Sequence, residues 1–476
     1  MTERGEKLPF FSRHSPALLV GLMCAAAIGL ALAIQGTAYL NHDVAYLAWV
    51  NGTLLGGGRL GIDFYESNHP LAILIYAPGW MLAKVIGPGA GVRLWAAGIA
   101  AVAMLLVWRA SRRDARIWLT LCVAILFAVA FPREFAQREH LAFLLCAPYV
   151  VGYQSDRRLG VLSGVMAGLG FAIKPYFLAA LVLVFLVRRR IRTEELAIAA
   201  TGLAYAATLL AFFPSYVFVM VPAANKVYWA FEAREAFTPL SIMFAALLVI
   251  ALIVWSTGRD RTTLPLLAAA VGFAIAAAVQ HKWYQYHFVA AWSYLILFLA
   301  GQAAVSSRQR RVCAGLLLVS LVPLWNLATG WRKESIDRNR TVSALVKAAD
   351  KADTFSTITV HPYPASPTLF YTRSSYVGMS NGQWFLAAAA ITASGEDNRP
   401  AEVPFRMAAD RAVAELRRRP ELVIVNTDWR GHSSLRSRHF DGLAMLQRDP
   451  AFRQLWAEYR PAGSIDHFQL FERIRR

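Results

Sequence analysis

Asp43, Asp63 and Glu66, with His42 and His69, lie in one stretch between two long apolar runs. Ionisable groups beside bilayer-length apolar sequence are costly, and they commonly mark a site. An acid opens a short amphipathic helical segment in which Val44, Leu47, Val50 and Leu54 recur at helical spacing. The glycine run Gly56-Gly57-Gly58 follows, and then the second acidic cluster. Such spacing could hold a general base over a lipid-borne substrate. Asn41 or His42 can cap the helix, whose dipole favours an ionised Asp43. The plainer reading of Asp43, as a first-turn helix acid, stays open. No strand precedes the glycines and no Gly-Lys-Ser follows, so they read as a turn, not a phosphate cradle. Asp63, Glu66 and His69 could bind a divalent metal, cap the helix begun at Pro70 or contact sugar hydroxyls. The metal is not favoured, and no cofactor is expected with certainty.

More polar groups punctuate the apolar sequence further on. Arg133-Glu134 and Arg138-Glu139-His140 open one apolar run, either as solvated ion pairs or to anchor and orient an acceptor. Lys174-Pro175 joins two runs of roughly 22 and 20 Å at about 1.5 Å per residue, short of a hydrocarbon core of roughly 30 Å. The joint is therefore expected below the outer surface, where a lysine suits a lipid phosphate or simply snorkels. His281, Lys282, Tyr286 and His287 mix cations with aromatic rings, as an aromatic belt does or as a sugar-phosphate contact would.

The elements that must position these groups follow from composition. With 57% hydrophobic residues in 476, the chain reads as a polytopic membrane protein. Its formal charge of +19 collects in short clusters between apolar runs, the pattern of cytoplasmic loops and not of a nucleic-acid surface. The run 16–34 behind Arg4, Lys7 and Arg13 is expected to be an uncleaved anchor, with a cleaved signal ending near Ala31-Leu32-Ala33 as its rival. All four cysteines lie in apolar runs, so neither a disulfide framework nor a thiolate metal site is indicated.

Counting every apolar run as a span puts Arg109–Arg116 outside and inverts each later basic cluster. If 70–87 instead lies in the interface as a juxtamembrane helix, Arg109–Arg116, Arg157-Arg158, Arg188–Arg192, Arg259/Arg261 and Arg308–Arg311 all become cytoplasmic. We therefore expect about eleven transmembrane helices, N-terminus inside and C-terminus outside. The loops with Asp43–His69, Arg133–His140, Lys174, 214–238 and 280–287 then share the exoplasmic face. Residues 330–476 read as a small α/β domain on that face, with strands at 357–360, 422–425 and 467–471 and helices at 408–418 and 443–446. Residues 1–329 form the transmembrane module.

These motifs resemble those of the GT-C superfamily of polyprenyl-phosphate-sugar glycosyltransferases, which includes protein O-mannosyltransferases and lipid A aminoarabinose transferases. The resemblance covers about residues 16–330. It rests on His42-Asp43 with its helix, on Asp63, Glu66 and Asn68-His69-Pro70, on Gln137-Arg138-Glu139-His140, on 169–175 and on Tyr286-His287. It implies a GT-C-like helical fold with juxtamembrane helices in the first exoplasmic loop. It also implies Asp43 as catalytic base, with a second acid at Glu139 or, failing that, Glu134. The chain departs from many relatives in having Asp43-Val44 for Asp-Glu and Asn68-His69-Pro70 for Lys-Pro-Pro, which leaves His69 in the place of a phosphate-binding lysine.

The implied reaction is inverting transfer of one sugar from a polyprenyl-phosphate donor to the hydroxyl of a periplasmic glycan, lipid or protein, in a bacterial inner membrane. Asp63, Glu66, His69, Arg138, Lys174, His281, Lys282, Tyr286 and His287 are the expected substrate contacts. A lipid-linked glycan transporter and an oligosaccharide ligase are the alternatives. The first predicts paired broken helices around mid-membrane polar groups, and the second a large arginine-bearing loop.

Overall fold

The structure is a computed structural model that describes residues 11–155, 159–227, 239–258, 261–363, 365–392, 402–427 and 441–474. Arg4, Lys7, Arg157, Arg158 and Arg259, and the segment 228–238, lie outside the described residues.

Among the described residues, five helices are long and apolar enough to cross a membrane: Pro16–Gly36, Pro88–Ala110, Thr193–Phe212, Gln285–Val305 and Arg310–Ala349. Shorter apolar helices complete the bundle, among them Arg116–Ala130, Gly160–Ala172, Pro175–Val187 and Leu264–Val279. The segment from Val289 to Gln302 is buried at every position, which explains why its sequence is apolar all round and not striped.

The polar loops sort to two ends. At one end Arg112 Nη1 lies 3.5 Å from Thr262 Oγ1, and Thr263 and Gln309 bond Gln302 at 2.7 and 2.8 Å. Tyr153, near the end of the helix Arg138–Ser155, donates to the Arg190 carbonyl at 3.1 Å, so that helix also finishes there. Its start, at Arg138, belongs to the opposite end. There the Arg93 guanidinium bonds the Ala38 carbonyl, and Tyr39 and Leu40 amides reach Asn339 and Tyr371 at 3.1 and 3.3 Å.

Residues 70–87 form two short helices, Pro70–Leu74 and Ala77–Ile86. The first begins beside Tyr216, and the second turns through Gly87 (φ 97°) into Pro88–Ala110, whose Gly89 lies against the Tyr371 hydroxyl. Entry and exit share one end, which supports a juxtamembrane segment there. Met81 and Val85 point outward, 61% and 83% exposed, as an interfacial helix requires. A Cβ on Gly91 would come 2.2 Å from the Ala83 backbone, so only glycine lets the second helix lie this close to the next.

The helix Arg310–Ala349 runs unbroken through position 330, where the composition changes. Beyond it come β1 (Thr354–Ile358), β2 (Ser375–Tyr376), β3 (Leu422–Asn426), β4 (Tyr459–Ile465) and β5 (Phe468–Arg473), in the order β2-β1-β3-β5-β4. β1 pairs in parallel with β2 and β3, while β5 pairs antiparallel with β3 and β4. The expected strand at 357–360 begins and ends earlier, because beyond Ile358 the Thr359 carbonyl accepts the Gln383 amide instead of a ladder bond. The expected helix at 408–418 overlaps Glu402–Arg417, which starts earlier and ends one residue sooner, and that at 443–446 falls within Gly442–Leu446.

This sheet domain seats on the first loop. The Tyr65 amide donates to the Met379 carbonyl at 2.6 Å, and Arg418 donates to the Asp63 carbonyl at 3.3 Å. Arg411 lies 4.2 Å over the Tyr65 ring, and Trp49 meets Tyr376 edge-on at 5.4 Å. The helix His42–Leu55 is therefore not amphipathic in place. Bundle and domain bury Ala45, Tyr46, Ala48 and Asn51 along with Val44, Leu47 and Val50.

Candidate active site

Asn41 caps the helix that carries Asp43, its side chain accepting from the Asp43 amide at 2.9 Å. The same Asn41 donates to the Arg133 carbonyl at 3.0 Å and accepts from Gln137 at 2.9 Å, tying the helix start to the loop before Arg138. Arg138 Nη2 then reaches Asp43 Oδ2 at 2.8 Å, with Gln137 Nε2 at 3.4 Å from the same oxygen. Burial opposes ionisation of Asp43, but His42 and Arg138 outweigh it and hold the carboxyl below its ordinary 3.8. His42 is itself pushed down by burial, so Arg138 is the partner whose charge persists at neutral pH.

Arg138 is held on its other side by Asn68, which donates to Glu66 Oε1 from its amide and side chain at 2.8 and 2.7 Å. Glu66 is 6% exposed, and burial raises its pKa against those hydrogen bonds. It orients Asn68, and through it Arg138. His69 lines the cavity with its ring 5.5 Å from Tyr216. Asp63 does not join them. It faces outward and bonds Arg59 through side chain and backbone at 3.1 and 2.8 Å. The expected sugar contact at Asp63 is thus corrected to a loop brace, because its carboxylate is taken up by Arg59 outside the cavity. Among the described residues no group of three His, Cys, Asp or Glu side chains is arranged to hold a metal ion.

Across the cavity Lys174, at the joint of its two short helices, is 8% exposed. It bonds Glu139 Oε1 and, at 3.2 Å, Gln280 Oε1, and its ammonium lies 5.3 Å from the Tyr286 ring. Tyr286 meets His287 edge-on at 4.3 Å and lies 5.8 Å from the Arg138 guanidinium. Glu139 is fully buried behind Lys174 and does not line the cavity, so it reaches the site only through that lysine. Lys282 and His287 line the cavity, whereas His281, in a left-handed turn (φ 51°), does not. The expected contact at His281 is corrected accordingly.

These groups enclose a cavity of about 960 Å³. Tyr176 and Val279 line it and are 46% and 52% exposed. Glu134 lines it too, and burial pushes its carboxyl up to about 8. Arg338, His361 and Trp384 complete the wall from remote sequence, and no spacing signal announces them.

No family model matches the chain, and no curated protein matches it in sequence. Solved structures do. ArnT from Cupriavidus metallidurans, solved bound to undecaprenyl phosphate, is similar over 97% of this chain and 98% of its own, at 10% identity and a TM-score of 0.52. The Archaeoglobus fulgidus oligosaccharyltransferase, solved with zinc and sulfate, matches over 92% of this chain and 71% of its own, at 13% identity and a TM-score of 0.43. The arabinofuranosyltransferase AftD from Mycobacteria matches over 96% of this chain but 41% of its own, at 13% identity and a TM-score of 0.42. Over nearly its whole length, from the first apolar helix to the C-terminal sheet, the chain shares its fold with ArnT.

Proposed function

We propose that this chain is a membrane glycosyltransferase that moves one sugar, with inversion, from a polyprenyl-phosphate donor to an acceptor hydroxyl. The observation that carries this is a single cavity lined by an ionised Asp43 and by Lys174, whose exposed Tyr176 and Val279 form, on this reading, the edge open to lipid. Asp43 takes the proton of the acceptor hydroxyl as that oxygen attacks the anomeric carbon. The bond from the anomeric carbon to the phosphate oxygen breaks, and its electron pair leaves with the phosphate. Lys174, Lys282 and Arg138 stabilise the departing charge, so no acid is needed there. Glu66 and Glu139 position Arg138 and Lys174. Desolvation strengthens these contacts, since a cation in a half-dry cleft acts on phosphate more strongly than one in water.

Lys174→Ala is expected to weaken undecaprenyl-phosphate binding about tenfold, the value of one charge-assisted hydrogen bond, in protein that still folds and inserts. Titration of the lipid into nanodisc-held protein measures it. An unchanged affinity would leave Lys174 as a snorkelling lysine and remove the donor end of the mechanism.

The reading also places the cavity outside a bacterial inner membrane. Arg113 and Arg340 are exposed at opposite ends of the bundle. A membrane-impermeant maleimide added to spheroplasts is expected to label Arg340→Cys and to miss Arg113→Cys. Labelling of both from outside would sink the eleven-helix arrangement.

A further inference from the structure

The C-terminal sheet turns a ligand-binding edge into this same cavity. In an open α/β sheet, ligands collect beyond the carboxyl ends of the parallel strands, where loops diverge and backbone groups are left unpaired. β1 ends at Ile358 and β2 at Tyr376, and the loops that follow them are locked together. The Gln383 amide donates to the Thr359 carbonyl and the Tyr376 hydroxyl to the Ser380 carbonyl, both at 2.5 Å. Gly382 packs so closely that a Cβ there would lie 3.0 Å from the Val360 carbonyl.

The face these loops make is the cavity wall: His361, Asn381 and Trp384 all line it. The His361 ring lies 5.5 Å from His42, the neighbour of Asp43. Arg338 lines the same wall, 4.9 Å over Tyr363 and 3.2 Å from Glu334. Glu334 also pairs with Arg133, so two guanidinium groups share one carboxylate. Of the other acids lining this side, Asp43 is paired with Arg138, and burial keeps Glu134 largely uncharged at neutral pH. This wall therefore carries net positive charge. It is built partly by the sheet domain, whereas the exposed edge of the cavity is lined by Tyr176 and Val279 from the bundle.

We infer that this wall is the acceptor subsite and that the acceptor is a glycan bearing a carboxylate or phosphate. The inference rests on the transferase reading above. Trp384 offers an aromatic surface to a sugar ring. Asn381 and His361 offer donors and acceptors to its hydroxyls. Arg338 offers the planar fork that matches a carboxylate or phosphate. An acceptor held here presents its hydroxyl to Asp43 from the His42 side, opposite the lipid opening.

Saturation-transfer NMR on the full chain in nanodiscs tests it, with methyl glucuronide, glucose 6-phosphate, methyl glucoside and a serine-rich peptide as probes. At least one acidic sugar is expected to bind better than the glucoside. Which of the two binds separates a carboxylate from a phosphate acceptor. Arg338→Gln is expected to lower that affinity about tenfold and erase the preference over the glucoside. Asn381→Ala and Trp384→Ala should weaken both, with undecaprenyl-phosphate binding retained as the check on folding. Equal binding of acidic and neutral sugars, binding of the peptide alone, no sugar binding, or sugar binding indifferent to all three variants would each overturn the proposal. Sugar binding without undecaprenyl-phosphate binding would instead sink the donor reading and leave the subsite standing.

Discussion

Replacing Asp43 by Asn is expected to lower sugar transfer about 10²–10⁴-fold, the usual contribution of a general base, while donor binding survives. The amide keeps the size of the carboxylate and still accepts from Arg138, which reaches Asp43 Oδ2 at 2.8 Å, but it cannot take the acceptor's proton. The pH profile carries a second signature. His42 and Arg138 outweigh burial and hold Asp43 below 3.8, so the base is ionised through the neutral range. Rate and the pair's contribution to stability are both present above that value, and both are lost only as pH falls through the depressed pKa. Arg138→Gln should move this acid limb upward, because it removes the cation and leaves the burial. Asp63→Asn should cost little, since that side chain braces only Arg59 outside the cavity. Single-sugar transfer from a purified polyprenyl-phosphate donor measures all three variants. Near-normal turnover by a folded Asp43→Asn protein would take Asp43 out of the mechanism.

Glu139→Gln is expected to destabilise the protein by about 3–5 kcal/mol, the cost of leaving a buried charge without its partner. Glu139 is 0% exposed and Lys174 8%, and with the carboxylate gone the ammonium keeps only Gln280, at 3.2 Å, and the Tyr286 ring. Adding Lys174→Met should recover most of that stability, since an apolar pair of similar volume escapes the desolvation cost of two ions. Donor affinity should stay low in the double variant, because the cation for the phosphate is missing. Thermal unfolding in detergent reads the first quantity and lipid titration the second. A Glu139→Gln protein as stable as the parent would mean that Glu139 does not hold Lys174.

Several parts of this arrangement were legible along the chain because they depend on near neighbours. The cap by Asn41 places Asp43 two residues on, within reach of a single side chain. Alternating apolar runs and basic clusters report helices and their ends, since the cost of burying charge in hydrocarbon acts on each segment separately. The same local logic marked 70–87 as an interfacial segment, and the structure starts and ends it at one face. Arginine and lysine at Arg138 and Lys174 were visible as cations out of place. Their assembly into one cavity wall with Tyr286 was visible only as loops sharing a face.

Direction was decided by tertiary structure. Asp63 and Glu66 are three residues apart in a loop, yet one is partly exposed and paired with Arg59 while the other is buried against Asn68. Arg138 and Glu139 are adjacent on a helix, where successive side chains diverge by about 100°, so the arginine lines the cavity and the glutamate goes back into the bundle behind Lys174. Arg338, His361 and Trp384 join the site from a long helix and a sheet edge roughly three hundred residues beyond Asp43. The sequence by itself determined a helical membrane module, its polar face and the residue types available there. Which of those residues meet was set by how the helices of the bundle pack together and how the C-terminal sheet seats on the first loop, because long-range contacts leave no periodicity in the chain that makes them.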